Sequence, residues 1–161
     1  MTRFWRTWLA VWSIGIGLFG LVLYGATFPA TTGPAAAIFA LFGNPLPEQP
    51  DRYLRFAIGL MGAVTAGWAV TIYAAFRAAW ALEGGAAGAV WRLITGGLIA
   101  WYVIDSAASI ATGFWLNAVS NTAVLIGYLV PIAASGVLGQ QTGTIGHVGL
   151  ERPSHAPRAN A

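Results

Sequence analysis

The chain has 161 residues, of which 57% are hydrophobic and 8% charged, against about 25% charged in a typical soluble domain. Its mean hydropathy is +0.68, its net charge is +3, and all of its basic residues are arginine. Too few polar residues are present to cover a water-soluble core. The arginines flank apolar runs instead of forming a phosphate-tracking stripe, which excludes nucleic acid as a partner. The lack of cysteine excludes disulfides, thiolate catalysis and thiolate metal sites.

The first apolar run covers residues 8–28 and follows Arg3 and Arg6. It is long enough to cross a hydrocarbon core, which needs about 20 residues. A cleaved signal peptide has an apolar region of about 7–15 residues and a small-x-small cleavage site. This run is longer and no clear site follows, so it is read as a span.

Residues 29–51 carry Pro29, Pro34, Pro45, Pro47 and Pro50, which break any continuous helix. Within this extracytoplasmic loop, the apolar octet 35–42 is too short to span. It fits a short interfacial or re-entrant helix over the bundle, and equally a loop segment folded against headgroups.

The second span is read over 54–76, with a helix able to run on to Leu82 and stop at Gly84-Gly85. Residues 83–89 read as a flexible turn. The third span covers 90–111 and the fourth 114–138, with Pro131 near its far end. That proline leaves the carbonyl of Gly127 without its helical donor, so the helix either kinks there or simply ends. The transmembrane domain is therefore 1–138. Residues 139–161 read as a disordered cytoplasmic tail. Both histidines, His147 and His155, fall in that tail, so the sequence calls for no metal, haem or other cofactor.

With the N-terminus inside, Arg3, Arg6, Arg77, Arg92, Arg152 and Arg158 are cytoplasmic, and Arg52 and Arg55 are outside. That asymmetry obeys the positive-inside rule, with both termini cytoplasmic. Trp5, Trp8, Trp80 and Trp91 then fall near the inner interface and Trp115 near the outer one. Trp68 and Trp101 lie inside spans two and three, where they are read as packing residues before substrate stackers.

Small residues recur at helical spacing. Gly59, Ala63 and Gly67 form one ridge of span two, with Gly62 and Ala66 beside it. Gly96 and Ala100 form another on span three, and span one offers Ser13 and Gly17. Such ridges let helices approach closely in lipid, within one bundle or between copies in a homo-oligomer.

The spans hold one acidic side chain, Asp105. An acid at membrane depth is costly and faces protein or a wet cavity. Asp105, Ser109 and Thr112 share a face of span three, with Ser106 adjacent, and Asn117, Ser120 and Asn121 share a face of span four. Asp105 and Asn121 each lie eight residues from Gly113, and Ser109 and Asn117 each lie four away. An antiparallel hairpin about Gly113 therefore pairs Asp105 with Asn121 and Ser109 with Asn117. Asp105 then sits on the order of 12 Å below the outer turn. Three readings follow: an interhelical hydrogen-bond clamp, an outward-facing polar pocket for a proton, cation or headgroup, or a tether to Arg52 or Arg55. The spans hold no Cys, His or Lys, and Ser106 and Ser109 beside Asp105 do not make a catalytic dyad, so an enzyme is not expected.

Span one, the proline-rich loop with its octet, and LRFAIGLMGAVTAGWAV over 54–70 resemble small bacterial four-span proteins of the DoxX-like kind. The resemblance covers about the first half of the chain. It implies a four-helix bundle in the cytoplasmic membrane and no settled activity. The redox associations of that family have no counterpart in a chain without cysteine, and no functional residue transfers. The expectation is an all-α integral membrane four-helix bundle surrounded by membrane lipids. It serves as an accessory or scaffold subunit with a protein partner or as a homo-oligomer; the alternative is a small transporter using Asp105.

Overall fold

Local chemistry fixes where the helices begin and end. In the computed structural model, which describes residues 1–139, the first helix, α1 (Arg3–Gly25), starts on Thr2, whose hydroxyl accepts from the Trp5 amide at 3.4 Å. A 3-10 turn (Pro29–Thr31) and a short helix, α2 (Gly33–Leu41), follow. α3 (Arg52–Ala81) starts on Asp51, whose carboxylate accepts from the amides of Tyr53 at 2.9 Å and Leu54 at 2.8 Å. This cap satisfies donors that have no partner within the helix. α4 is Gly84–Ala111 and α5 is Trp115–Ser135. α5 stops at Gly136, which takes the left-handed conformation that favours glycine (φ 60°), before a 3-10 turn over Val137–Gly139. The tail expected from there on lies, apart from Gly139, outside the described residues.

The flexible turn expected over 83–89 is absent. Only Leu82 and Glu83 are extended, and α4 begins at Gly84. Gly85, Ala87 and Gly88 are buried, so small residues there serve close packing instead of chain freedom.

α1, α3, α4 and α5 are each long and apolar enough to cross a membrane. They form an all-α, up-and-down four-helix bundle in which each packs on the next and α5 closes back on α1. One end carries Arg3, Arg6, Arg77 and Arg92. The other carries Arg52, Arg55 and the proline-rich connection. α2 lies over that second end, where Ala35 is buried with Leu23, Ala26 and Ile58. Phe39 meets Phe114 edge-on at 6.3 Å. The octet is thus a short helix packed on the bundle.

Among the described helices, α1 and α3 make the most extensive pairing, and its ridge differs from the expected one. Gly59 sits over Thr27, and Gly62 lies against the backbone of Gly20, Leu23 and Tyr24; Gly20 in turn abuts Ala66. The contact ridge is therefore Gly59, Gly62, Ala66 and Ala69. Ala63 and Gly67 point outward and are exposed, as are Gly96 and Ala100 on α4. Both ridges have helical spacing, and only the position of α1 decides which is covered.

The core at the arginine end is aromatic. Phe76 stacks between Trp91 at 5.6 Å and Tyr128 at 6.0 Å. Trp91 is therefore a core residue and not part of an interfacial belt. Trp68 and Trp101 pack together across α3 and α4, with centroids 5.3 Å apart. Trp8 and Trp12 tie α1 to α5: their indole nitrogens donate to the carbonyls of Gly127 at 2.8 Å and Val124 at 2.9 Å. The Gly127 carbonyl is the one that Pro131 leaves unpaired.

Candidate functional site

α4 and α5 turn over at Thr112–Phe114, with Gly113 at φ 85°. Antiparallel packing about this glycine sets the polar residues of the two helices opposite one another. The Asn121 amide nitrogen donates to Asp105 Oδ2 at 3.1 Å and to Ser106 Oγ at 3.4 Å. The Asn117 amide nitrogen donates to Ser109 Oγ at 2.8 Å, and that hydroxyl donates to the Asp105 main-chain carbonyl at 2.7 Å. Ser106, Ser109 and Asn121 are buried and Asp105 is half-buried.

Two of the predicted residues stay outside this network. Thr112 donates back to the carbonyls of Ala108 and Ser109, and Ser120 donates to that of Asn117. Hydroxyls one turn along a helix commonly satisfy themselves in this way.

The polar seam runs further down the hairpin than the sequence reading has it. Tyr102 and Thr122 share a hydrogen bond at 3.1 Å, and Thr95 and Tyr128 share one at 2.8 Å. The Thr95 hydroxyl also donates to the Trp91 carbonyl at 2.8 Å. A threonine has one proton to give, so with that proton on Trp91 the Tyr128 hydroxyl donates to Thr95. Continuing the pairing about Gly113, with two or three residues of drift, would have reached both rungs.

The arginine tether to Asp105 does not form. Arg55 donates through Nε to the Pro50 carbonyl at 3.0 Å, and through Nη1 to the Ala26 carbonyl at 3.3 Å and Thr32 Oγ1 at 2.8 Å. Those bonds tie the loop to the end of α1. Arg52 donates to its neighbour Tyr53 and lies over that ring at 4.7 Å. Among the described residues, no three His, Asp or Glu side chains converge to hold a metal.

Chemically, the seam joins two helices by amide, hydroxyl and carboxylate hydrogen bonds. In a membrane each such pair contributes about 0.6 kcal/mol, up to about 1.7. The chain matches no family model, no curated protein and no solved structure.

Proposed function

We propose that this protein is a non-catalytic membrane subunit that works through its lipid-facing surface, as an accessory or scaffold partner in a larger membrane complex. The observation that carries this reading is that the polar side chains around Asp105 on α4 and α5 are spent on one another or on their own backbone. Asp105, Ser106 and Ser109 hold Asn117 and Asn121, while Thr112 and Ser120 bond their own backbone. A hydrolytic or transfer site needs a nucleophile beside a base and room for a reacting atom; here the hydroxyls hold helices together. What the bundle offers outward is apolar, with Leu93 76%, Val70 71% and Ile104 71% exposed. In hydrocarbon such faces meet lipid or another helix.

The four-span resemblance points to the cytoplasmic (inner) membrane, and the positive-inside rule supports both termini in the cytoplasm, since Arg3, Arg6, Arg77 and Arg92 share one end. A second reading, proton- or cation-linked permeation through Asp105, draws on one feature. The carboxyl is only half-buried, and among the described residues its side chain bonds Asn121 alone.

Native mass spectrometry of the tagged full-length protein from its own host separates the two. The subunit reading expects a second polypeptide at fixed stoichiometry, retained in Asp105→Asn. A chain without a protein partner that carries proton or cation flux into proteoliposomes, lost in Asp105→Asn, would replace it with the transport reading.

A further inference from the structure

The close α1–α3 pairing opens into a groove towards the arginine end. Ala10, Ser13 and Gly17 form one wall and Ala69 and Tyr73 the other, enclosing about 290 Å³. Small residues leave this space empty of side chains. The Ser13 hydroxyl is turned into its own helix, donating to the Leu9 carbonyl at 2.9 Å, so that wall presents an apolar surface. The rim residues Ile14 and Val70 are 60% and 71% exposed, so the groove opens sideways into surrounding hydrocarbon and not into the bundle. From Ala10 to Gly17 it runs about 10 Å along the helix, a large part of one leaflet's depth of about 15 Å.

Both walls end in positive charge. Arg6 lies four residues before Ala10 and Arg77 four after Tyr73, so each continues its wall by one helical turn. The Arg6 guanidinium lies 5.8 Å from the centroid of the Trp80 ring, and Tyr73 meets the same ring edge-on at 6.3 Å. Trp80 keeps a buried Nε1 with no acceptor among the described residues. Arg92 lies at the same end but donates to the Leu138 carbonyl at 3.1 Å, away from the groove, and Glu83 is the one described acid there.

We propose that this groove holds one acyl chain of an anionic phospholipid from the adjoining leaflet, with its phosphate against Arg6 and Arg77. An apolar channel ending in two cations matches an acyl chain ending in an anion. A zwitterionic lipid fits the channel and also brings a phosphate, but its headgroup cation offsets that charge beside Arg6 and Arg77, so an anionic lipid is the better match.

The test uses the full-length protein in nanodiscs of equal parts phosphatidylglycerol and phosphatidylcholine, with lipids retained per chain counted by native mass spectrometry. The wild type is expected to keep one phosphatidylglycerol in preference to phosphatidylcholine. Each arginine near a membrane surface is worth roughly fivefold in anionic-lipid binding. The double variant Arg6→Gln/Arg77→Gln should therefore lose the preference by roughly 30-fold while still retaining lipid. Ala10→Leu, which fills the groove, should lose retained lipid of both kinds with the arginines intact. Arg92→Gln, on α4 and away from the groove, should keep the preference. Unchanged near-ultraviolet circular dichroism confirms that each variant is folded. Equal retention of the two lipids by the wild type, a preference insensitive to Arg6 and Arg77, or a second copy of the chain in place of the lipid would each overturn the proposal.

Discussion

Replacing Gly20 by alanine asks whether α1 and α3 meet backbone to backbone. A Cβ at Gly20 would lie 2.6 Å from the Ala66 amide nitrogen and 2.8 Å from the Gly62 carbonyl oxygen. Both obstacles are main chain, so no rotamer change relieves them. The helices must part by about 0.8 Å to bring the nearer contact back to 3.4 Å. Overpacking costs about 1–3 kcal/mol, and a rigid obstacle puts this case at the upper end. The same change gains up to about 1 kcal/mol of helix propensity, which leaves a net loss of about 2 kcal/mol. Two other glycines calibrate the result. At Gly17 the new methyl would sit 3.6 Å from Ala69 Cβ, an ordinary contact, and at Gly67 it meets nothing within 4 Å. Alanine at either position is expected to be neutral or to stabilise by up to about 1 kcal/mol. Unfolding of the three variants in mixed micelles, followed by far-ultraviolet circular dichroism against the fraction of denaturing detergent, gives the differences directly. If Gly20→Ala and Gly67→Ala agree within about 0.5 kcal/mol, the size of an ordinary surface effect, the glycine seam described between α1 and α3 is wrong.

Two further predictions concern the buried polar groups. In a double-mutant cycle, Asp105→Ala and Asn121→Ala should be coupled by about 0.6–1.7 kcal/mol in unfolding free energy; additive effects would rule out the bond between them. Thr95→Val strands the buried Tyr128 hydroxyl and should cost about 1–3 kcal/mol. Tyr128→Phe leaves Thr95 bonded to Trp91 and should cost about 1 kcal/mol; the reverse order in thermal unfolding would contradict the donor assignment.

Much of this arrangement can be read from the residues. Apolar run length marks the four spans, and the prolines of 29–50 mark the break between the first two. The symmetry of Asp105, Ser109, Asn117 and Asn121 about Gly113 leads to both interhelical bonds, because a short antiparallel turn fixes register. Three features escape such reading for physical reasons. Gly59, Ala63 and Gly67 are spaced as well as Gly59, Gly62 and Ala66, and the choice depends on where α1 lies, which one helix's periodicity does not encode. Gly84, Gly85 and Gly88 suit a flexible turn as well as a tightly packed helix start, and the neighbours of α4 decide between them. Trp8 and Trp91 have the composition of an interfacial belt, yet one finds a carbonyl on α5 and the other a stacking partner in Phe76. The unpaired Gly127 carbonyl is evident from Pro131; that its donor comes from more than a hundred residues earlier is not.

That distant donor has a consequence for how the molecule is made. Spans enter a membrane as they are synthesised, from the N-terminus onward. The indole N–H groups of Trp8 and Trp12 emerge first, and their acceptors on Gly127 and Val124 emerge last. A donor without an acceptor is unfavourable in hydrocarbon. A chain of three spans lacks both of these acceptors, and the fourth span supplies them together. Closure of the bundle between its first and last spans therefore rests in part on two bonds that no shorter chain can make.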